Sequence, residues 1–250
     1  MEPEYAQVSS DTDTILYEHL AGSAPGIFFL GGFNSSMQGL KAIALRKYCI
    51  EHSIAFTRFD YRGHGLSSGE FSAFSVEEWL QDACVVFDRV ALSQNVLVGS
   101  SMGAWIATLL ALRRQDRVSA LCGIASALDF TQDLKSKHLS PAQCEELDRQ
   151  GHTSLASCYD HETPYIISRQ LIEGSKGHCL LGSDIDLQCP VHLIHGTHDT
   201  DIDWRTTPRF ARAVTNATVT VTLIPGGDHR LSSTEQLATI IAAVARLRQH

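Results

Sequence analysis

Short, almost wholly apolar runs recur along this chain, and nearly every one is followed by a stretch whose apolar residues return at helical spacing. Residues 26–30, 54–60, 96–99, 118–124, 190–195 and 218–224 read as strands. Residues 37–51, 75–91, 102–114, 204–214 and 233–248 read as helices. A strand that is apolar on both faces must be covered on both faces, which is the habit of parallel sheets. Strands separated by helices need crossover connections, so the pattern predicts an α/β fold: a mainly parallel central sheet with helices on both faces. The clearest helix is 75–91, where Val76, Trp79, Leu80, Ala83, Val86, Phe87 and Val90 share one stripe. In the last helix Leu237, Ile240, Ile241, Val244 and Leu247 form the buried face. A β-hairpin is expected within residues 4–20.

The rhythm breaks between residues 129 and 188, where no strong apolar strand occurs. Two short helices have start signals there. Ser140-Pro141-Ala142-Gln143 combines an N-cap serine, a proline at the first helical position and a capping-box glutamine. Thr163-Pro164 opens a second over 165–173, closed by Gly174. An excursion this long inside a compact domain is usually functional. Ligands of open α/β sheets bind beyond the carboxyl ends of the strands, the side on which an insertion after strand 118–124 emerges. Residues 129–188 therefore read as a lid, and 1–128 with 189–250 as one core.

The junction Gly99-Ser100-Ser101-Met102-Gly103 matches G-x-S-x-G between a strand and a helix. Glycines on both sides of a sharp turn let the backbone fold back without collision, leaving Ser101 at the apex. Helix 102–114 directs its unpaired amides and partial positive charge to the same place. Ser101 is thus the expected nucleophile, ahead of Ser100, which the glycine spacing does not centre. A serine hydroxyl needs a base, and the base needs an orienting acid. The chain order on such an architecture is serine, acid, histidine. Beyond residue 198 there are two histidines, His229 in the loop Pro225-Gly226-Gly227-Asp228-His229 and the terminal His250, expected to fray. His229 is the expected base. Asp199, first off strand 190–195 where geometry is best constrained, is the expected acid; Asp201 is next, and Asp203 is expected to cap helix 204–214. Asp129 occupies another possible location after strand 118–124, and Asp228 is adjacent to His229 in sequence. The oxyanion of an acyl-transfer reaction needs donors. The Met102 amide is one, and the Phe33 amide, in Gly31-Gly32-Phe33, is expected to be the other. His192, His195 and His198 alternate too closely along a strand end to make a zinc site, so no metal and no organic cofactor are expected.

A formal charge of −8 argues against nucleic-acid binding and against docking on an anionic membrane, since both need a basic patch. No run of 18 apolar residues occurs, and MEPEYAQVSSDTD has neither the basic start nor the apolar stretch of a signal peptide. The 7 cysteines, an odd number without C-x-x-C pairing, read as free thiols, and the sequons at Asn34 and Asn216 then carry no meaning. A soluble, cytoplasmic protein is expected.

With these residues placed, the chain resembles the α/β-hydrolase family over essentially its whole length. Gly31-Gly32-Phe33-Asn34-Ser35-Ser36-Met37-Gln38-Gly39-Leu40-Lys41-Ala42, Phe59-Asp60-Tyr61-Arg62-Gly63-His64-Gly65 and His178-Cys179-Leu180-Leu181 resemble the acyl-protein thioesterase and acyl-glucuronide esterase subfamily. Animal members of that subfamily are mitochondrial; this N-terminus has no transit-peptide character. The subfamily's serine, acid and histidine match Ser101, Asp199 and His229. The resemblance implies a serine hydrolase acting on a small-molecule or acyl-protein ester or thioester. Where hydrolases commonly have a proline in the acid loop, this chain has Asp203. Other chemistries of the same triad, C–C bond or peptide hydrolysis, and a catalytically silent binding protein are the alternative readings. Lys135, Lys137, Arg169 and Lys176 in the lid offer cations for an acidic substrate such as a glucuronide, or else form a solvated face.

Overall fold

In the computed structural model, which describes residues 4–7, 13–156 and 164–249, neighbouring side chains of the central strands go to opposite faces of one sheet. Phe28, Leu30, Leu97, Leu121 and Leu193 enter one core. Ile27, Phe29, Val96, Val98, Cys122 and Ile194 enter the other. This is the period of two that a strand imposes, repeated in register across the sheet.

The chain begins with β1 (Glu4–Gln7), β2 (Thr14–Leu20) and β3 (Ser23–Leu30), followed by α1 (Leu40–Glu51), β4 (Ile54–Phe59) and α2 (Val76–Val90). Then come β5 (Asn95–Ser100), α3 (Met102–Arg113) and β6 (Val118–Ile124). The next stretch carries α4 (Phe130–Asp133), α5 (Pro141–Gln150), β7 (His152–Leu155), β8 (Tyr165–Ser168), α6 (Arg169–Ser175) and β9 (Ile185–Asp186). The chain closes with β10 (Val191–Gly196), α7 (Thr206–Ala213), β11 (Val214–Thr215), β12 (Val219–Ile224) and α8 (Thr234–Leu247). The eight-stranded sheet runs β1-β2-β4-β3-β5-β6-β10-β12. It is parallel from β4 to β12, with β1 and β2 antiparallel at one edge. Helices α1 and α8 cover one face, and α2, α3 and α7 the other. The α/β architecture is the one the alternation predicts. The β1–β2 pairing is the expected hairpin, with its connection at residues 8–12 outside the described residues, as are Thr163 and His250.

The stripe on α2 is buried from Val76 to Phe87, while Val90 is half-buried. Each large apolar side chain there contributes roughly 1.5–3 kcal/mol by leaving water. Ser75 and Glu78 close a capping box at its start. The stripe also contains a residue the pattern does not foretell: Asp82, wholly buried, accepts from Arg62 Nε at 2.7 Å and from the Arg62 amide at 2.9 Å. That pair pins the turn after β4 to α2.

Three expectations are corrected. The strand-poor stretch contains an antiparallel pair, β7 with β8, and helix is found only from Arg169, not from 165. Tyr165, Ile166 and Ile167 are aromatic and β-branched, and a neighbouring strand was available to pair them. Helix α1 starts at Leu40 instead of 37, because Met37 is held in a turn by side chains described below. Asp203 accepts from the Arg205 amide one step ahead of α7, whose N-cap is Arg205.

Candidate active site

Strand β5 turns into α3 through Ser101, whose backbone has φ 55° and ψ −121°. A non-glycine residue there costs of order 1–3 kcal/mol and persists only when its surroundings overdetermine it. Here the Ser101 amide donates to the Ile124 carbonyl at 2.8 Å, and its own carbonyl accepts from Ala104 at 3.0 Å and Ala127 at 3.2 Å. A Cβ on Gly99 would overlap the Gly103 carbonyl and Ala104, and one on Gly103 would overlap the Leu30 carbonyl. The two glycines are what allow β5, α3 and the end of β3 to meet.

The loops after β10 and β12 reach the same place. The His198 amide donates to the Gly227 carbonyl at 2.9 Å, and a Cβ on Gly196 would overlap that carbonyl. His229 Nε2 lies 3.0 Å from Ser101 Oγ, and its Nδ1 lies 2.7 Å from Asp199 Oδ2. Asp199 Oδ1 accepts from the amides of Asp201 at 2.9 Å and Ile202 at 2.8 Å. Burial alone would raise the Asp199 carboxyl, but hydrogen bonds from His195 and His229, the His229 charge and the Ile202 amide hold it well below the usual carboxylate range. Of the other aspartates, Asp201 stays close, with a carboxylate oxygen within 4.8 Å of the Asp199 and His229 atoms, and the rest have other partners. Asp201 lines the cavity, Asp203 pairs with Arg205 on the surface, and Asp228 accepts from the Leu231 amide of its own loop. Asp129 accepts from the amides of Leu180 and Leu181, the latter at 2.7 Å. That clamp explains the His178-Cys179-Leu180-Leu181 motif, which Trp105 Nε1 also holds by donating to the His178 carbonyl at 2.8 Å.

The loop after β3 is built by residues that sequence reasoning did not single out. A Cβ on Gly32 would lie 3.3 Å from Ser101 Cβ, so the loop backbone sits against the serine. The next residues are fixed from below. The Asn34 amide, at φ 50°, donates to His64 Nε2 at 3.2 Å. The Met37 amide donates to Asp60 Oδ1 at 2.6 Å, and Arg58 Nη1 donates to the Met37 carbonyl at 2.8 Å. Buried Glu18 in turn accepts from Arg58 Nε at 2.7 Å. The signal for this was the coincidence of two motifs, one carrying Asp60 and His64 and the other their backbone partners.

Burial pushes His64 down to about 4. It is therefore neutral at pH 7, with Nδ1 near the Arg62 carbonyl and Nε2 free to accept from Asn34. The unfolded chain binds the proton more readily than the folded one, so this stabilisation is complete above about pH 6.5 and is lost as pH falls toward 4. Between pH 7 and pH 5 the loss is about 2 kcal/mol. Urea unfolding at those two pH values should show the difference shrinking by about that amount in His64→Gln; an unchanged difference would contradict the assignment.

Ser101 and His229 open on a cavity of about 630 Å³. One part is apolar, with the Phe33 ring 5.5 Å from Phe130 and 5.6 Å from Tyr165, together with Leu134, Leu155 and Ile167. Another part is polar, with Asn34, Ser35, Lys41, Arg230 and Ser232. Burial pushes Lys41 down to about 8, and its Nζ donates to the Arg230 carbonyl. The four lid cations do not line this cavity. Lys135 pairs with Asp148, Lys137 with Asp133 and Lys176 with Glu173, while Arg169 donates to the Leu147 and Asp148 carbonyls. They form the solvated face. Asp199, Asp201 and His229 bring three ligand-type atoms within 4.8 Å. Within this group Asp199 Oδ2 and His229 Nδ1 are hydrogen-bonded to each other.

Comparison with known proteins bears on the same features. The family described as serine aminopeptidase, S33, matches residues 25–152. The rat protein named palmitoyl-protein thioesterase ABHD10, mitochondrial, is 37% identical over 232 residues, covering 92% of this chain and 77% of its own. The structure of alpha/beta hydrolase domain-containing protein 10 from mouse superposes with a TM-score of 0.90 at 33% identity, covering 99% of this chain and 98% of that one. A crystal structure from Agrobacterium vitis S4 gives a TM-score of 0.94 at 32% identity, with the same coverage of 99% and 98%. The rat, mouse, bovine and human relatives all carry "mitochondrial" in their names, which overturns the cytoplasmic expectation. Free thiols argue against an oxidising compartment but do not choose among reducing ones. Among the described residues, no helix is long and apolar enough to cross a membrane.

Proposed function

This chain belongs to the α/β-hydrolase family, in the group of the palmitoyl-protein thioesterase ABHD10, and on that premise we propose that it cleaves acyl thioesters or carboxylic esters through a Ser101–His229–Asp199 triad and an acyl-enzyme. The observation that carries the reading is the unbroken hydrogen-bonded line from Ser101 Oγ through His229 to Asp199, at a strand–turn–helix junction. His229 Nε2 takes the Ser101 proton as Oγ attacks the acyl carbonyl. Asp199 keeps Nδ1 protonated and stabilises the imidazolium that results. The Met102 amide, first in α3, and the Phe33 amide receive the oxyanion. His229 then protonates the departing thiol or alcohol, and water activated by the same imidazole releases the acid.

The acyl group enters the apolar part of the cavity, between Phe33, Phe130 and Tyr165, and the leaving group lies toward Asn34, Lys41 and Arg230. Residues 129–188 act as a lid over the core formed by 1–128 and 189–250; Phe130, Leu134, Leu155, Ala156, Tyr165 and Ile167, with His138, are its described contribution to the cavity wall. The reading is tested with p-nitrophenyl esters and matched thioesters from acetyl to palmitoyl, alongside an aminoacyl anilide. Esters and thioesters are expected to turn over, with kcat/KM rising with chain length by roughly threefold or more per methylene until the apolar part is filled. Cleavage of the anilide with the esters inert would overturn it in favour of a peptidase.

A further inference from the structure

Of the three histidines on and just after β10, His192 and His195 are buried, and His195 alone is bonded to the acid loop. His192 Nε2 meets Thr222 Oγ1 at 2.8 Å and His198 is exposed, whereas His195 is fully buried. Its Nε2 lies 2.8 Å from Asp199 Oδ2 and 3.2 Å from the Ile202 carbonyl. Its Nδ1 lies 2.6 Å from Thr207 Oγ1, on the first turn of α7. We infer that His195, keyed by Thr207, is a positioning residue for the reaction at Ser101, holding the Asp199 carboxylate in place against His229. The inference rests on the triad reading above and adds a residue to it.

The hydrogen-bond chemistry leaves little freedom. Both neighbours of Nε2 are pure acceptors, so Nε2 carries the hydrogen and donates it to Asp199. In the singly protonated ring Nδ1 is then an acceptor, and the Thr207 hydroxyl, which donates or accepts by rotation, supplies the proton it needs. Asp199 thus receives four donors: the Asp201 and Ile202 amides on Oδ1, and the imidazoles of His195 and His229 on Oδ2. A buried carboxylate on a loop could otherwise rotate about its last bond; with every donor in place, Oδ2 faces His229 at all times. The arrangement has a second consequence. A donor on Oδ2 draws charge from the oxygen that stabilises the His229 imidazolium. Removing it leaves more negative charge for that cation and moves the acid limb of kcat/KM to higher pH. The other charged groups around this pair are Asp201 in the loop after β10, Asp228 and Arg230 in the loop after β12, and Lys41 on α1. They stay the same in every variant below.

The test is the pH dependence of p-nitrophenyl ester hydrolysis by the full chain, wild type beside His195→Phe, His195→Gln and Thr207→Val. In His195→Phe, kcat is expected to fall about 30-fold with KM within about threefold, and the acid limb to move up by about half a pH unit or more. His195→Gln, which keeps an N–H to offer Oδ2, should recover most of the rate and return the limb, with Thr207→Val intermediate. A folded His195→Phe with wild-type kcat and limb overturns the inference. So does a loss of kcat with an unmoved limb that His195→Gln does not rescue. Nitrogen NMR of the wild type decides independently of whether any variant folds: His195 is expected with Nε2 protonated and Nδ1 bare, and the opposite tautomer overturns the assignment. Wild type that hydrolyses no ester would sink the triad reading instead, a result distinct from either of these.

Discussion

Ser101→Ala is expected to lower kcat for ester hydrolysis by about 10⁴-fold or more while leaving the protein folded. The serine hydroxyl is bonded to His229 Nε2, and its φ of 55° projects it from the turn between β5 and α3. The neighbouring Ser100 is buried within β5, paired in register with Ile124 of β6. Ser100→Ala should therefore change kcat by about threefold at most. Alanine at 101 inherits the same backbone strain and gives up one hydrogen bond, so the unfolding free energy should move by about 1 kcal/mol or less. Steady-state kinetics with a urea unfolding curve for each variant reads both quantities. Activity surviving in Ser101→Ala but lost in Ser100→Ala would reassign the nucleophile.

The second large effect separates Asp199, the acid that the sequence favours, from Asp201, the next candidate. Asp199→Asn should cost about 10⁴-fold in kcat, because an amide facing His229 Nδ1 favours the wrong imidazole tautomer. In this protein the disruption goes further, since the amide nitrogen would also face the donor of His195, two hydrogens in place of one hydrogen bond. Asp201→Asn and Asp203→Asn should each stay within about threefold of wild type, because the His229 Nδ1 hydrogen goes to Asp199 Oδ2 and what Asp201 gives that carboxylate is its backbone amide, which the substitution keeps. Equal losses for Asp199→Asn and Asp201→Asn would show that the acid loop works as a pair and would contradict the single-acid reading.

Much of this architecture was legible before any coordinates, for a definite reason. Strands covered on both faces leave unbroken apolar runs, and Val76 to Phe87 of α2 mark their buried stripe by spacing alone. The serine turn was legible because its glycines are forced by collision, with Gly99 against Gly103 and Gly103 against Leu30. Where local pattern competed with a distant partner, the reading was less complete. Residues 165–168 pair with 152–155, and a helix start signal at Thr163-Pro164 carries no information about that partner. Met37 looks helical until Asp60 and Arg58, more than twenty residues away, take its amide and carbonyl. Asp129 was weighed as an acid because of its place after β6; its use as a clamp on Leu180 and Leu181 depends on chain far ahead of it. The role of His195 has the same origin, since its partners Asp199 and Thr207, and not its spacing, distinguish it from His192 and His198. Location within the cell lies outside this physics, and there the relatives corrected the reading.

The central claim is an activated serine at position 101, and covalent capture tests it most directly. A fluorophosphonate probe should label the wild-type protein on the peptide that contains Ser101, with labelling abolished in Ser101→Ala and in His229→Ala. Labelling that persists in Ser101→Ala, or none at all on well-folded wild type, would contradict the account.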